Sequence, residues 1–563
     1  MCDPQTFDSR DSRYKRPYGA VPSGTRVELA LRPPRAGGFS AATLIAYFEH
    51  RDEERRELPM PWRGLEGDRD VFAVTLETGD YVGLVWYSFR LEGLDGRREE
   101  LGPFQLTVYD GAEEVPAWFG EGVTYQIFPD RFRRTRVPDP TGMVGGRSVH
   151  TGWEEEPVYR PDGTLEEMRI REGSGAPELV RKRVVEDMNK SYFPVKTIIP
   201  STEIVHDRVM LELFRGCIRG CRFCQAGYVY RPVRNRNPQL LAEYGKAACQ
   251  DSGYQEMTLS SLSSTDYPCL LELCDDLLDY CAPKDIGVSL PSLRADTFSM
   301  NLMERLQRVR KGGLTFAPEA GTQRLRDAIN KNLREEDLLQ SCRTAFSGGW
   351  SGVKLYFMLG LPTETDEDVL GIADLARKVY QCWRECTPNR ARGVRITVST
   401  SWFVPKPHTA FQWDAQIPVE EYQRRVNLLR DALKRDRSIT YNWHDPQTSY
   451  LEAIFSRGDR RLADVLEHAW QNGAKFDSWS EYFDFHRWMD ALSACGLDGD
   501  FYAHRERPRD EVFPWCRIDP MVTPAFLWHE RELCYQSQTT PDCRTRCSGC
   551  GANRLLKGGV CNG

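Results

Sequence analysis

From about Arg181 onward, short β-rich runs alternate with amphipathic segments about six times, and no other feature of the chain constrains its fold as tightly. The runs are RVMLELF (208 to 214), EMTLSS (256 to 261), IGVSLPS (286 to 292), GLTFAPE (313 to 319), GVKLYFML (352 to 359) and RITVSTSWFV (395 to 404). Between them NPQLLAEYGKAACQ, CLLELCDDLLDYC and TDEDVLGIADLARKVYQCW carry apolar residues at i, i+3, i+4 and i+7, the spacing of one helix face. This alternation predicts a parallel sheet curled into a partial or complete (β/α) barrel, with its chemistry at the C-terminal ends of the strands.

The first of these strands leads straight into Cys217-Ile-Arg-Gly-Cys221-Arg-Phe-Cys224. Three thiolates in so short a loop can hold three corners of a cubane iron-sulfur cluster, because thiolate is the soft ligand that iron in such clusters takes. The loop supplies no fourth ligand, so one iron stays open, as a catalytic metal keeps a position for substrate. Gly216 and Gly220 suit the tight wrapping of backbone around a cluster. The alternative, a zinc knuckle, calls for four ligands in paired CxxC spacing.

A CxxxCxxC loop after the first strand of a (β/α) barrel resembles that of the radical S-adenosylmethionine (SAM) superfamily. Residues from about 181 to 550 are similar to cobalamin-domain-containing radical proteins of unassigned substrate, in the branch that includes methylthiotransferases and Elongator-type enzymes. The segments that carry the likeness are RGCIRGCRFCQAGYVYRPVR, VSLPSLRAD, LTFAPEAGTQRLRD, KLYFMLGLPTETDED, FVPKPHTAFQW and NWHDP. The resemblance implies a [4Fe-4S] cluster on Cys217, Cys221 and Cys224 whose open iron is chelated by the methionyl group of SAM. It also implies reductive cleavage of SAM to a 5′-deoxyadenosyl radical, with an electron donor such as flavodoxin or ferredoxin.

On the same resemblance Phe223 packs near the adenine, and Ser260 and Ser261 stand where the methionyl amine is contacted. Glu319 and Arg326 are candidates for the ribose and the carboxylate, and Gly360, Pro362 and Val404 line the adenine side. Each has a plainer alternative. Glu319 could cap the helix starting near Gly321, Arg326 could be an ordinary helix residue, and the serines could satisfy loop amides. Seven arginines lie between Arg208 and Arg236 against one acid, Glu212. They read either as phosphate contacts to an RNA substrate or as cations offsetting the cluster and its acids.

Cys543-Arg-Thr-Arg-Cys547-Ser-Gly-Cys550 repeats the same spacing in a Gly-rich tail, with Cys561 or Cys534 available as a fourth ligand. A closed site holding zinc or a second iron-sulfur cluster is expected there. Residues 440 to 535 read as mostly helical. His444, Asp445, His486 and His504 are the polar residues to watch in that region, each histidine expected to be structural. Cys249, Cys269, Cys274, Cys281 and Cys342 fit apolar helix faces as small hydrophobes.

The chain before Arg181 is different. Of 18 cysteines in 563 residues, only Cys2 precedes residue 217. Residues 24 to 110 hold TRVELALRP, ATLIAYFEH, VFAVTLE, YVGLVWYSFRLEG and FQLTVYDG, broken by Gly, Asp and Pro every ten residues or so, the pattern of a β-sandwich. VPAWFGEGVTYQIFPDRF (115 to 132) then resembles the entry to the catalytic barrel of α-amylase superfamily glycosidases of the neopullulanase type, with their starch-binding-like sandwich before it. That likeness covers about residues 15 to 165. Such enzymes need two carboxylates on later barrel loops, and the motifs DxxxNH, GxRxD and NHD are absent downstream. Asp130 is read as structural, and no glycosidase activity is expected. No DxHxxG signature for cobalamin occurs.

Hydrophobic residues at 40% and aromatics at 11% exclude global disorder, and a net charge of −7 argues against a globally basic nucleic-acid binder. A mean hydropathy of −0.54 with no run of 18 apolar residues argues against a membrane helix. The N-terminus has no apolar signal core, so a cytoplasmic protein with reduced thiols is expected.

The expected fold is multidomain: a β-sandwich over 1–114, a truncated amylase-barrel start over 115–180, a partial TIM-type radical SAM barrel over 181–436, a helical region over 437–535 and a Cys-rich metal-binding tail over 536–563. A junction near 160 to 180 and loose order over 115 to 175 are expected of a chimeric reading frame. Three functions are weighed: a radical SAM enzyme of unknown substrate, a catalytically impaired cluster-binding remnant, and a carbohydrate-binding protein without glycosidase activity.

Overall fold

The computed structural model describes residues 6–49, 55–111, 143–144, 147–148, 156–170, 177–197, 199–200, 204–291, 294–296, 305, 314–387 and 390–555. The chain divides into two compact units, one of Met1–Thr135 with Ile198–Asp207 and one of Arg136–Thr197 with Arg208–Gly563. The 115–132 segment with Asp130 lies outside the described residues, as do Cys2 and Cys561.

In the first unit two sheets close on one apolar core. The four-stranded sheet runs in the order Lys15–Arg16, Arg26–Leu31, Arg69–Glu77, Trp62–Glu66. The five-stranded one runs Val21–Pro22, Arg98–Tyr109, Gly83–Gly93, Phe39–Phe48, Arg55–Met60. Alternate residues turn inward, as the pleat requires: Val27, Leu29 and Leu31 from one sheet meet Leu44, Phe48, Val85, Tyr87 and Phe89 from the other. Phe7 joins them, its ring 4.6 Å from Phe89 and 4.7 Å from Phe104. Arg55–Met60 was not anticipated from sequence, because RRELPM is a polar strand at the sheet edge with little inward face.

The second unit contains two parallel sheets. The first comprises β1 (Val209–Glu212), β2 (Glu256–Ser260) and β3 (Gly287–Ser289). The second comprises β4 (Leu314–Glu319), β5 (Gly352–Leu359), β6 (Arg395–Trp402) and β7 (Ile439–Trp443). Helices Pro238–Ser252 and Leu270–Cys281 bury Leu241, Leu273 and Leu277 against β1 to β3. Helices Glu335–Ser347, Asp366–Cys386 and Val419–Leu433 bury Phe346, Val369, Ala376, Val426 and Leu429 against β4 to β6. The central strands are buried on alternate sides and carry the apolar runs.

The seventh strand corrects two expectations. The parallel sheet extends past 436, and the region from 437 opens on β7 rather than on a helix. Among the described residues ITYNW pairs only with β6, and it leaves Trp443 exposed, so it lacks the apolar signature of the inner strands. After it come helices Pro446–Arg457, Leu462–Gln471, Phe485–Ala494 and Pro524–Tyr535.

Glu156–Tyr159 and Leu165–Arg169 form a hairpin that belongs to the second unit. Arg517 donates through Nε to the Met168 carbonyl at 2.9 Å, Arg461 donates to the Gly163 carbonyl at 3.0 Å, and the Arg461 guanidinium stands 4.1 Å from the centre of the Tyr159 ring. The hairpin is thus tied to the helical region by contacts about 300 residues or more apart in sequence. No helix among the described residues is long and apolar enough to cross a membrane.

Candidate functional site

β1 ends at Glu212, and the chain extends its pairing by one bond, Leu213 N–H to the Ser260 carbonyl at 3.0 Å. Gly216 then takes φ +93°, a conformation that side chains rarely adopt. The turn delivers Cys217, Cys221 and Cys224 in one loop, all three partly buried. Cys217 Sγ accepts the Arg219 N–H at 3.4 Å. Cys224 is the N-cap of helix Gln225–Val229, and its Sγ accepts the Gly227 N–H at 3.3 Å. Backbone N–H groups thus already face two of the sulfurs.

Burial pushes the Cys217 thiol up to about 12, and the neighbouring Cys221 and Cys224 push the same way against the Arg219 N–H. Burial, then Cys221, raises Cys224 as well. Cys217 and Cys224 both feel the charge of Cys221, so ionising them beside it needs positive charge placed among them. Among the described residues no three His, Cys, Asp or Glu side chains converge as ligands of a single ion would. A cubane asks for something else, since each thiolate takes a different iron. Three mutually interacting soft donors with N–H groups on their sulfurs fit that group and leave one iron without a protein ligand.

The basic stretch around the loop is internally paired. Arg219 makes a bidentate contact with Asp266 (2.9 and 2.5 Å) and approaches Asp296 and Asp542 at 3.3 and 3.6 Å. Arg222, wholly buried, pairs with the equally buried Glu530 at 3.0 Å and donates to the Ala328 carbonyl at 2.7 Å. Arg208 pairs with Glu256, Arg215 and Arg236 with Glu212, and Arg234 donates to the Pro232, Val185 and Tyr230 carbonyls. Arg231 donates to the Arg219 carbonyl at 2.7 Å. All seven arginines are thus engaged by carboxylates or backbone carbonyls.

Three strand ends converge beside Phe223. It packs against a cluster holding Ala320 after β4, Leu361 after β5 and Phe403 after β6. Glu319, the last residue of β4, has φ +68°, a strained backbone for a residue with a side chain and of the kind that gathers at functional sites. Its carboxylate meets Lys331 at 3.1 Å, and the Lys331 ammonium lies 6.0 Å from the Phe223 ring centre. Glu319 does not cap the next helix, because Thr322 does so, its hydroxyl accepting the Leu325 N–H at 3.3 Å.

The other sequence candidates are placed as follows. Arg326 is buried, with Nη1 donating to the Ala320 and Gly321 carbonyls at 3.1 Å and Nη2 to Gln323. These bonds hold the turn after Glu319 while the buried Nε has no partner, and the burial corrects the reading of Arg326 as an exposed helix residue. Ser261 bonds Ser264 Oγ and the Ser263 N–H, serving its own loop, and Ser260 ends β2. Gly360 has φ +90° and donates its N–H to Glu364 at 2.6 Å. Pro362 lies in the turn between these two residues, and Val404, buried, follows β6. Gln225 Nε2 donates to the Pro407 carbonyl at 3.1 Å, which ties the helix after the cysteine loop to the segment after β6.

Glycines in this region mark close approaches. A Cβ on Gly321 would lie 2.3 Å from the Asp368 carbonyl oxygen and 2.4 Å from the Ile372 nitrogen, both backbone atoms. Gly321→Ala is expected to cost about 3 kcal/mol through overpacking that only backbone movement relieves. A lower urea midpoint with an unchanged m-value checks this.

Several residues of the site were not anticipated. Lys331 and Asn330 lie just past the PEAGT segment. Asn330 joins the Gly220 carbonyl (2.9 Å) to the Thr540 N–H (2.8 Å), and so links the cysteine loop to the tail. Arg294 in VSLPSLRAD is near enough to Cys221 to feel its charge. Cys534 is buried in an apolar cluster with Ala320, Leu325 and Phe411. Cys249, Cys274, Cys281 and Cys342 are buried on helix faces, while Cys269 is half-buried at a helix N-cap. Asp445 caps helix Pro446–Arg457, and His504 Nδ1 lies 3.0 Å from the Gln416 carbonyl.

Residues 211–376 match the model of the Radical SAM superfamily. An uncharacterised protein of Methanocaldococcus jannaschii is 34% identical over 264 residues, 46% of this chain and 54% of that one. A putative methylthiotransferase of the same organism is 23% identical over 195 residues, 33% of this chain and 42% of that one. An amylopullulanase of Thermoanaerobacter thermohydrosulfuricus is 32% identical over 151 residues, 23% of this chain and 10% of that one. The chain therefore spans about half or less of the length of each of these relatives.

Proposed function

We propose, from the radical SAM domain that this chain carries over residues 211–376, that it is a radical SAM enzyme of unknown substrate. Cys217, Cys221 and Cys224 would hold a [4Fe-4S] cluster, and when bound the cluster supplies the electron that cleaves SAM to a 5′-deoxyadenosyl radical. The observation that carries the reading is the loop itself: three half-buried thiols after β1, two of them already accepting backbone N–H groups. Phe223 offers an apolar face to an adenine, and Glu319 with Lys331 offers a carboxylate and an ammonium within reach of that face. Gly360, Pro362 and Val404 remain candidates for the adenine side, although the Val404 side chain packs with Leu451 and Ile454. Ser260 remains a candidate for the methionyl amine at the end of β2.

Electrons would come from a flavodoxin or a ferredoxin. A methylthiotransferase-like relative keeps RNA among the candidate substrates, but the paired arginines give no support to an RNA-binding track there. In the reduced, reconstituted protein, adding SAM should change the EPR signal of the cluster. A signal indifferent to SAM would count against an open iron.

A second reading concerns the first unit, because of the likeness to amylopullulanase. The full chain is expected to be retarded on a starch matrix and to release no reducing sugar from pullulan. Elution with the void volume sinks the binding role, and sugar release sinks the absence of hydrolysis. The impaired-remnant reading requires bound iron with no deoxyadenosine formed.

A further inference from the structure

The two cysteine motifs, 326 residues apart from Cys217 to Cys543 in sequence, are neighbours in the second unit. The Cys543 N–H donates to the Ile218 carbonyl at 3.1 Å, inside the first cysteine loop. Cys550, buried, shares an apolar cluster with Tyr228, which belongs to the helix that Cys224 caps. Asp542 approaches Arg219 at 3.6 Å, and Thr540 is gripped by Asn330 and Glu530. Helix Pro524–Tyr535 delivers this tail, and the Thr523 N–H bonds the Cys550 carbonyl at 3.0 Å.

Between the motifs lies Arg231, 3% exposed. Its Nη2 holds the Arg219 carbonyl, and Tyr228 lies under the guanidinium at 4.9 Å. Nε and Nη1, both buried, have no oxygen or nitrogen acceptor, and the Cys550 thiol is the acceptor the guanidinium approaches. A buried guanidinium so placed is costly unless negative charge faces it. The groups beside it are the thiols of Cys543 and Cys550. A second buried cation, Lys182, also senses Cys550, while bonding the Val229 carbonyl at 2.6 Å.

We propose that Cys543, Cys547 and Cys550 hold a second iron-sulfur cluster against the first cysteine loop, with Arg231 as the cation that faces it. The spacing CxxxCxxC is that of the first loop. Gly551, at φ +103°, lets the chain turn at Cys550 where a Cβ would stand 2.6 Å from the Met521 carbonyl oxygen. The anionic sulfur of a cluster would give Nε and Nη1 charged acceptors.

The test is iron, sulfide and zinc content of the full chain after anaerobic reconstitution. About eight irons per chain are expected, falling to about four both in Cys543→Ser/Cys547→Ser/Cys550→Ser and in Cys217→Ser/Cys221→Ser/Cys224→Ser. About four irons in the wild type, unchanged in the tail variant, overturns the proposal. So does about one zinc per chain that disappears with the tail cysteines. Loss of iron only in the tail variant would instead sink the reading of the first loop and leave this site standing. In the first-loop variant, Arg231→Gln should move the remaining cluster's midpoint potential to more negative values at unchanged iron content, and Arg231→Lys should restore much of it. An unmoved potential overturns the role of Arg231.

Discussion

Arg222→Ala is expected to destabilise the second unit by about 3–5 kcal/mol, because it leaves Glu530 as an uncompensated charge in the interior. Both partners are almost wholly buried, and the pair joins residues 308 apart in sequence. Glu530 also accepts the Thr540 hydroxyl at 2.8 Å, so the tail loses a fixed point when the carboxylate is released from Arg222. The expected sign of this mechanism is a partial rescue. Arg222→Met with Glu530→Met should recover most of the loss, since an apolar pair of similar volume removes both desolvation costs. Denaturant midpoints of the wild type, the single variant and the double variant check it. A single variant within about 0.5 kcal/mol of wild type, the range of ordinary surface substitutions, would show that the pair does not hold the tail.

Gly216→Ala has an expected cost of about 3–5 kcal/mol, summing positive-φ strain with overpacking. At φ +93° its Cβ would stand 2.5 Å from the Pro232 carbonyl oxygen and 2.8 Å from that of Tyr230, and neither backbone atom can swing aside. The strain falls on the residue that starts the cysteine loop. Iron retention should therefore fall together with the midpoint. A variant that unfolds at the wild-type midpoint and loads iron normally would contradict the strained entry.

What could be read from the sequence was what is local. GVKLYFML announces a buried parallel strand, and CIRGCRFC announces a loop that gathers three thiols after one. ITYNW carried no such signal, because an edge strand paired on one side needs no continuous apolar run. Glu319 was ambiguous between a cap and a ligand until Thr322 proved to be the cap. Arg326 could not be placed from sequence either, because its partners are the carbonyls of the turn before it, which no pattern of side chains encodes. Lys331, Asn330 and Glu530 matter through contacts 12, 110 and 308 residues away. The arginines of 208 to 236 looked like a basic patch in the sequence, while the acids that neutralise them come from β2, the loop after it and the tail.

The measurement that bears most directly on the central claim is 5′-deoxyadenosine formed from SAM by the anaerobically reconstituted, reduced full chain, with Cys221→Ala beside it. Slow uncoupled formation by the wild type, and none above the enzyme-free background in the variant, is the expected result. Equal formation by both proteins, or none by a wild type that has demonstrably bound its iron, would contradict it.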